Sequence, residues 1–274
     1  PEIFELFANP PETVDQDCLN ALGFKPYRNI FCRLNDIGSD KTILIFGDSH
    51  GVSVFPGLSK LNAKNGYNTL MIGTETQIRP LIGSDRIIPA RELDNWRDLV
   101  NRFKDLIEGD SKIKEVLLVL RFSQETASLD KLPPDPQSDP SGQATALDLY
   151  AESIQKTVDF LNQAGKKVFI LANWPGLKLD PRNYLARPFR GAAPLPEKDD
   201  SLEYHDEYLK RLSQINGATL IRTDQAFCPD DQCLVLMEEN IPIYSDTHHL
   251  SRAGSDFLTS KVLSDYFRPE SEGN

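Results

Sequence analysis

Five short apolar runs recur along the chain, separated by longer stretches whose apolar residues fall at helical spacing. The runs are TILIF (42–46), TLMIG (69–73), EVLLVLRF (115–122), KVFILAN (167–173) and ATLIR (218–222). A strand with one wet face alternates apolar and polar residues. These runs are mostly continuous, which suits strands covered on both faces. Between them, Leu93, Trp96, Val100, Phe103 and Ile107 fall on one stripe of a helix over 90–108. Leu147, Tyr150, Ile154, Val158 and Leu161 do the same over 145–164, and Gly165 stands where that helix needs its C-cap. Helices are also expected over 52–62, 201–215 and 251–267, with Pro56 in the first turn of the first. Strands alternating with amphipathic helices predict an α/β fold. The expected form is a three-layer sandwich: a parallel sheet of about five strands with helices on both faces.

Two long segments interrupt this rhythm. Residues 123–144 and 175–200 are rich in Pro and polar residues, and long loops in compact domains are often functional. Residues 1–40 hold four prolines and weak periodicity, and are expected to be an extension or linker arm ahead of a domain at 41–274. The first residue is Pro1, not methionine, so an excised domain or a processed protein is expected. The net charge is −11, and the sequence shows neither the basic stripe of a nucleic-acid binder nor the polybasic cluster of an anionic-lipid binder. No apolar stretch reaches the ~18 residues that a membrane-spanning helix needs, and no signal peptide is evident.

The four cysteines are Cys18, Cys32, Cys228 and Cys233. Sequence alone allows three connectivities, of which two local disulfides, Cys18–Cys32 and Cys228–Cys233, are the simplest. Disulfides would imply an oxidising compartment; four free thiols would imply the cytosol. A four-cysteine zinc site fits poorly, because no Cys-x-x-Cys occurs.

The first apolar run ends in GDSHG (47–51). Ligand sites of open α/β sheets lie at the carboxyl ends of the strands, which is where this turn falls. A serine there projects into the cleft, and the N–H groups of the following helix face a developing oxyanion. Gly47 and Gly51 permit close backbone approach. The competing reading is that Asp48 or Ser49 only caps the helix. A phosphate loop is weaker, since no Gly-x-x-x-x-Gly-Lys-Ser/Thr occurs. A nucleophilic serine needs a base, and the base needs an orienting acid. Of His50, His205, His248 and His249, the last two stand beside Asp246 in YSDTHHLSRAG (244–254). Asp246 and His249 share a face in a tight turn or a first helical turn. Asp246 and His248 would share one on a strand.

GDSH near the start and DTHHLS near the end resemble the first and last blocks of the SGNH (GDSL-like) serine hydrolases. A narrower pattern adds a cysteine before RLND, then ILIFGDSH, LLVLRFS, CPDDQC and YSDTHHLSRAG. This resembles the extracytoplasmic SGNH domain fused to integral-membrane acyltransferases that O-acetylate bacterial surface polysaccharides. The resemblance runs from about Cys18 to Phe267 and is poorest in the two Pro-rich loops. It implies Ser49 as nucleophile, His249 as general base and Asp246 as orienting carboxylate. The usual Gly-x-Asn-Asp block is missing, so the oxyanion donor is open among Gly73, Arg121 and Asn173. Arg121 could equally be a salt bridge at the sheet edge. His50 and Trp174 are candidates to line the substrate pocket, the latter by stacking on a sugar, although both could be packing residues.

The implied activity is acetyl transfer to a carbohydrate hydroxyl through an acyl-serine. The alternatives are a secreted carbohydrate acetylesterase and a catalytically silent glycan-binding module. No metal or organic cofactor is expected in this domain. The resemblance implies a membrane acyltransferase domain in the same polypeptide, which passes on acetyl groups drawn from acetyl-CoA. It also implies a carbohydrate substrate and a periplasmic location. The isolated domain is expected to be monomeric.

Overall fold

The computed structural model describes residues 12–24, 30–75, 81–85, 93–121, 146–177, 180, 201–229, 233–237 and 241–268. Six strands are β1 (Ile30–Asn35), β2 (Thr42–Gly47), β3 (Asn68–Thr74), β4 (Ile113–Val119), β5 (Lys167–Leu171) and β6 (Thr219–Ile221). The helices are α1 (Gln16–Leu22), α2 (Ser49–Lys64), α3 (Leu93–Gly109), α4 (Ala146–Gln163), α5 (Ser201–Leu212), α6 (Asp224–Phe227) and α7 (Arg252–Lys261). A 3₁₀ turn follows at Leu263–Asp265. The strands form one mixed sheet in the order β1-β3-β2-β4-β5-β6.

All five apolar runs are strands, and they pair with one another in parallel. Their continuous hydrophobicity is explained by two apolar layers. Leu44 and Phe46 of β2 face one layer, with α3, α4 and α5 supplying Phe103, Tyr150, Val158 and Tyr208. Ile43 and Ile45 face the other, with α2, α6 and α7 supplying Val54, Leu58, Phe227 and Leu258. Each such side chain, once fully buried, stabilises the fold by roughly 1.5–3 kcal/mol. Helix α4 ends as its sequence predicts. Gly165 adopts a left-handed φ of 71°, and Gly165 and Lys166 donate back to Asn162 and Leu161. None of the described helices is long and apolar enough to cross a membrane.

The sixth strand lies inside the segment expected to be an irregular arm. β1 runs antiparallel along β3, from Ile30 opposite Thr74 to Asn35 opposite Thr69. An antiparallel edge strand needs neither a crossover helix nor two buried faces. Its second half, Arg33 to Asn35, is only partly buried and so lacks the apolar signature of the others. The Cys18–Cys32 disulfide ties α1 to this strand, and Cys228–Cys233 closes the second local loop.

Helix α2 also departs from expectation. It begins at Ser49 rather than at Val52, so Pro56 lies in its interior. Proline removes one helical N–H and disturbs the ladder around it. The neighbouring groups find partners on α7: the Gly57 amide donates to Ser255 Oγ at 2.9 Å, and that hydroxyl donates to the Val54 carbonyl at 3.0 Å.

Candidate active site

Ser49 is the first residue of α2, directly after β2. The turn between them is a single residue, Asp48, whose amide donates to the Val119 carbonyl of β4. One carboxylate oxygen of Asp48 accepts the His50 amide at 2.9 Å, which caps the helix. The other accepts the Arg121 amide at 2.7 Å. This buried carboxylate therefore fixes the helix start and also binds it to the end of β4. Gly47 and Gly73 leave room for the turn. A Cβ on Gly47 would lie 1.9 Å from the Val119 carbonyl oxygen, and one on Gly73 would lie 1.8 Å from the Gly47 carbonyl oxygen. Gly73 thus has a packing reason to be glycine, separate from any part as an amide donor.

The second half of the site is a turn after β6. Ser245 donates its amide to the His249 carbonyl, closing Asp246, Thr247 and His248 into a loop. Asp246 Oδ1 accepts the amides of His248 and His249, each at 2.8 Å. This local pairing rigidifies the turn. The loop after β5 holds it from outside. Leu177 donates its amide to the Thr247 carbonyl at 2.7 Å. Trp174 Nε1 donates to the His248 carbonyl, and the Tyr244 hydroxyl to the Pro175 carbonyl, both at 2.7 Å. Tyr244 had no signal in the sequence beyond its neighbourhood to Asp246.

The two halves meet in one hydrogen-bonded chain. His249 Nδ1 is 2.7 Å from Asp246 Oδ2, and His249 Nε2 is 2.8 Å from Ser49 Oγ. Burial alone would raise the Asp246 carboxyl. The bonds from the His249 ring and from the His249 and His248 amides outweigh it and hold the group well below the usual carboxylate range. An ionised Asp246 can only accept, so His249 carries its proton on Nδ1 and turns the Nε2 lone pair to the Ser49 hydroxyl.

His248 is turned elsewhere. Its Nε2 lies 3.1 Å from Arg121 Nη1. A guanidinium can only donate, so His248 accepts there. Burial, reinforced by His249 and Arg121 and opposed by Asp246, pushes the His248 ring down to about 3. Among the described residues the Arg121 guanidinium meets this ring and no carboxylate.

His50 and Trp174 do not line an open pocket. They are 2% and 3% exposed and stack on each other, with ring centroids 4.4 Å apart and planes 14° from parallel. A sugar has no free Trp174 face to stack on. The physical reason is packing: the indole is clamped between His50 and the second apolar layer while its N–H fixes the His248 carbonyl. Burial, then the nearby His249, His248 and Arg121, holds His50 neutral, well below the ordinary imidazole range. Asn173 is buried, and its carbonyl accepts the Thr223 hydroxyl at 2.8 Å. The side chain of His205, on α5, lies outside the described residues, as do residues 122–145 and 181–200.

No curated protein sequence matches the chain. Among solved structures it resembles the periplasmic domain of a lipopolysaccharide acetyltransferase from Salmonella ser. Paratyphi A. That match has a TM-score of 0.59 at 19% identity and covers 95% of this chain and 92% of that one. Fainter matches are a putative acylhydrolase from Bacteroides fragilis (TM-score 0.44, 14% identity, 82% of this chain and 85% of that one) and a catalytic mutant of an acetylxylan esterase from Geobacillus stearothermophilus (0.45, 14%, 82% and 93%). A family model described as an SGNH domain fused to AT3 domains matches residues 17–264. The chain therefore belongs to the SGNH domains that are fused to AT3 domains.

Proposed function

We propose that this domain transfers an acetyl group to a carbohydrate hydroxyl through an acyl-Ser49 intermediate. The observation that carries the reading is the unbroken chain Ser49–His249–Asp246, assembled from the end of β2 and a turn 200 residues later in sequence. Ser49 Oγ attacks the acyl carbonyl carbon as its proton passes to His249 Nε2. The resulting imidazolium is stabilised by Asp246. The tetrahedral oxyanion collapses, and the leaving oxygen takes the proton back from Nε2. An incoming sugar hydroxyl then gives its proton to Nε2, attacks the ester and expels Ser49 Oγ, which is reprotonated. The N–H groups at the start of α2 would hold the oxyanion, with Gly73, Arg121 and Asn173 as further candidate donors. Every step is carried by groups of the chain itself.

Fusion to AT3 domains supports a membrane partner in the same polypeptide, which would deliver acetyl groups drawn from cytosolic acetyl-CoA. The two disulfides support an extracytoplasmic, periplasmic setting. Holding a sugar in a near-attack pose gives effective molarities of roughly 10⁵–10⁸ M, enough for it to outcompete water. The isolated domain is then expected to hydrolyse a simple acetyl ester slowly and to label at Ser49 with a fluorophosphonate. Ser49→Ala should abolish both while the circular dichroism spectrum stays unchanged. In cells, acetylation of the glycan should need Ser49 and the membrane domain together. Rapid removal of acetyl groups from an acetylated polysaccharide by the isolated domain would replace the transferase reading with an esterase. Ser49→Ala with full turnover would remove both.

A further inference from the structure

His50, His248 and His249 each present a ring nitrogen, and these three atoms lie within 4.8 Å of one another. His50 is almost fully buried, and neither of its nitrogens has a partner among the described residues. His248 Nδ1 is likewise buried and unpartnered. Buried polar atoms are nearly always paired, so an unpartnered His50 ring and an unpartnered His248 Nδ1 beside His249 ask for a ligand. The geometry points to a transition-metal site formed by His50, His248 and His249, at which Zn²⁺ binds and switches off Ser49. The inhibitory consequence rests on the reading of His249 as the base of Ser49; the binding itself does not.

The donor set selects the ion. Imidazole nitrogens suit Zn²⁺, Cu²⁺ and Ni²⁺, whereas Mg²⁺ and Ca²⁺ take oxygen. Zn–N bonds of about 2.0–2.1 Å on a tetrahedral ion put the nitrogens roughly 3.3 Å apart. The present spread of up to 4.8 Å closes with a small swing of the rings. His50 is the fixed wall, held by its stack on Trp174. His248 and His249 are partly exposed on their turn and supply the movement. The His249 nitrogen not engaged by Asp246 is Nε2, and it now meets Ser49. An ion there takes that nitrogen and ends the Ser49 hydrogen bond. Asp246, already bonded to Nδ1, then becomes the outer carboxylate that metal-bound histidines commonly have. Arg121 opposes the ion and must leave His248, which argues for micromolar rather than tighter binding.

The test is calorimetric titration of the whole 274-residue chain with zinc chloride, with magnesium chloride as control. One zinc ion per chain and no magnesium uptake are expected. His248→Gln, on a partly exposed turn, should weaken zinc binding at least tenfold. His50→Phe keeps the stack on Trp174 without offering a ligand, and should do the same. Ser49→Ala frees His249 Nε2 and should bind zinc as well as the parent or better, although it has no activity to inhibit. In the parent, zinc should slow fluorophosphonate labelling of Ser49, and a chelator should restore it. Absence of stoichiometric zinc binding overturns the proposal. So does zinc binding that His248→Gln and a folded His50→Phe leave unchanged. If zinc binds with the expected histidine dependence while Ser49 never labels, the metal site stands and the acyl-serine reading falls.

Discussion

His248 and His249 are neighbours with opposite assignments. The His249 ring bridges Asp246 and Ser49, while the His248 ring accepts from Arg121. Replacing His249 by Ala should therefore lower turnover of an activated acetyl ester by about 10³-fold or more, since members of such a triad act as a unit. Asp246→Asn, which keeps the shape but loses the charge that fixes the tautomer, should cost roughly 10⁴-fold. His248→Ala should be much milder, and steady-state kinetics in which the two histidine variants exchanged behaviour would reassign the base. If its guanidinium serves the oxyanion, Arg121→Ala should lower turnover by about 100- to 1000-fold, the range for one lost donor. Unchanged turnover with a lower Tm would confine Arg121 to holding His248. Much of this was legible in the residues, because GDSHG and the Asp246–His249 spacing are local features. The roles of Trp174 and His50 were not. Exposure is a property of the packed fold, and an indole after a strand looks the same in sequence whether it faces a sugar or a buried imidazole.

The crossing of α2 and α7 links the nucleophile's helix to the one that follows the histidine turn. A Cβ on Gly57 would lie 2.3 Å from the Ser255 carbonyl oxygen and 2.5 Å from Thr259 Oγ1. The backbone contact cannot be relieved by a rotamer change. Gly57→Ala should therefore destabilise the domain by about 1–3 kcal/mol, read as a lower urea midpoint at unchanged slope. It should also cost activity, because the helices that separate carry Ser49 and the turn with His249. An unchanged midpoint would mean that the crossing is softer than its geometry implies. The five parallel strands and the larger helices could be read in advance, since burial on two faces and a period of 3.6 residues both leave dense patterns. The antiparallel β1 could not, because six residues with a half-buried pattern resemble a loop in a proline-bearing segment. The start of α2 was misplaced for a related reason. A proline suggests a helix beginning, and only the contacts with Ser255 show how an interior Pro56 is accommodated.

Across the whole molecule, the site makes stability depend on pH in a defined direction. His50 and His248 are both held below the ordinary imidazole value in the folded protein, His50 by burial first and His248 by burial to about 3. In the unfolded chain both return to about 6.5. Between that value and the folded values, the unfolded chain binds more protons than the folded one. Stability therefore rises with pH through this window; the contribution is complete above about 6.5 and is lost as pH falls. Asp246 behaves alike at lower pH, its contribution being present above about 3.9 and lost beneath it. A group so depressed adds at most about 1.4 kcal/mol per pH unit. Tm should be level from about pH 8 to 7 and fall steadily from about pH 6.5 to 4.5, before most carboxylates titrate. His50→Phe removes one of the two titrating rings while keeping the aromatic stack on Trp174, so its curve should fall less steeply over that window. Parallel melting curves for the parent and His50→Phe would show that the fold tolerates a charged His50, against its burial and its three basic neighbours.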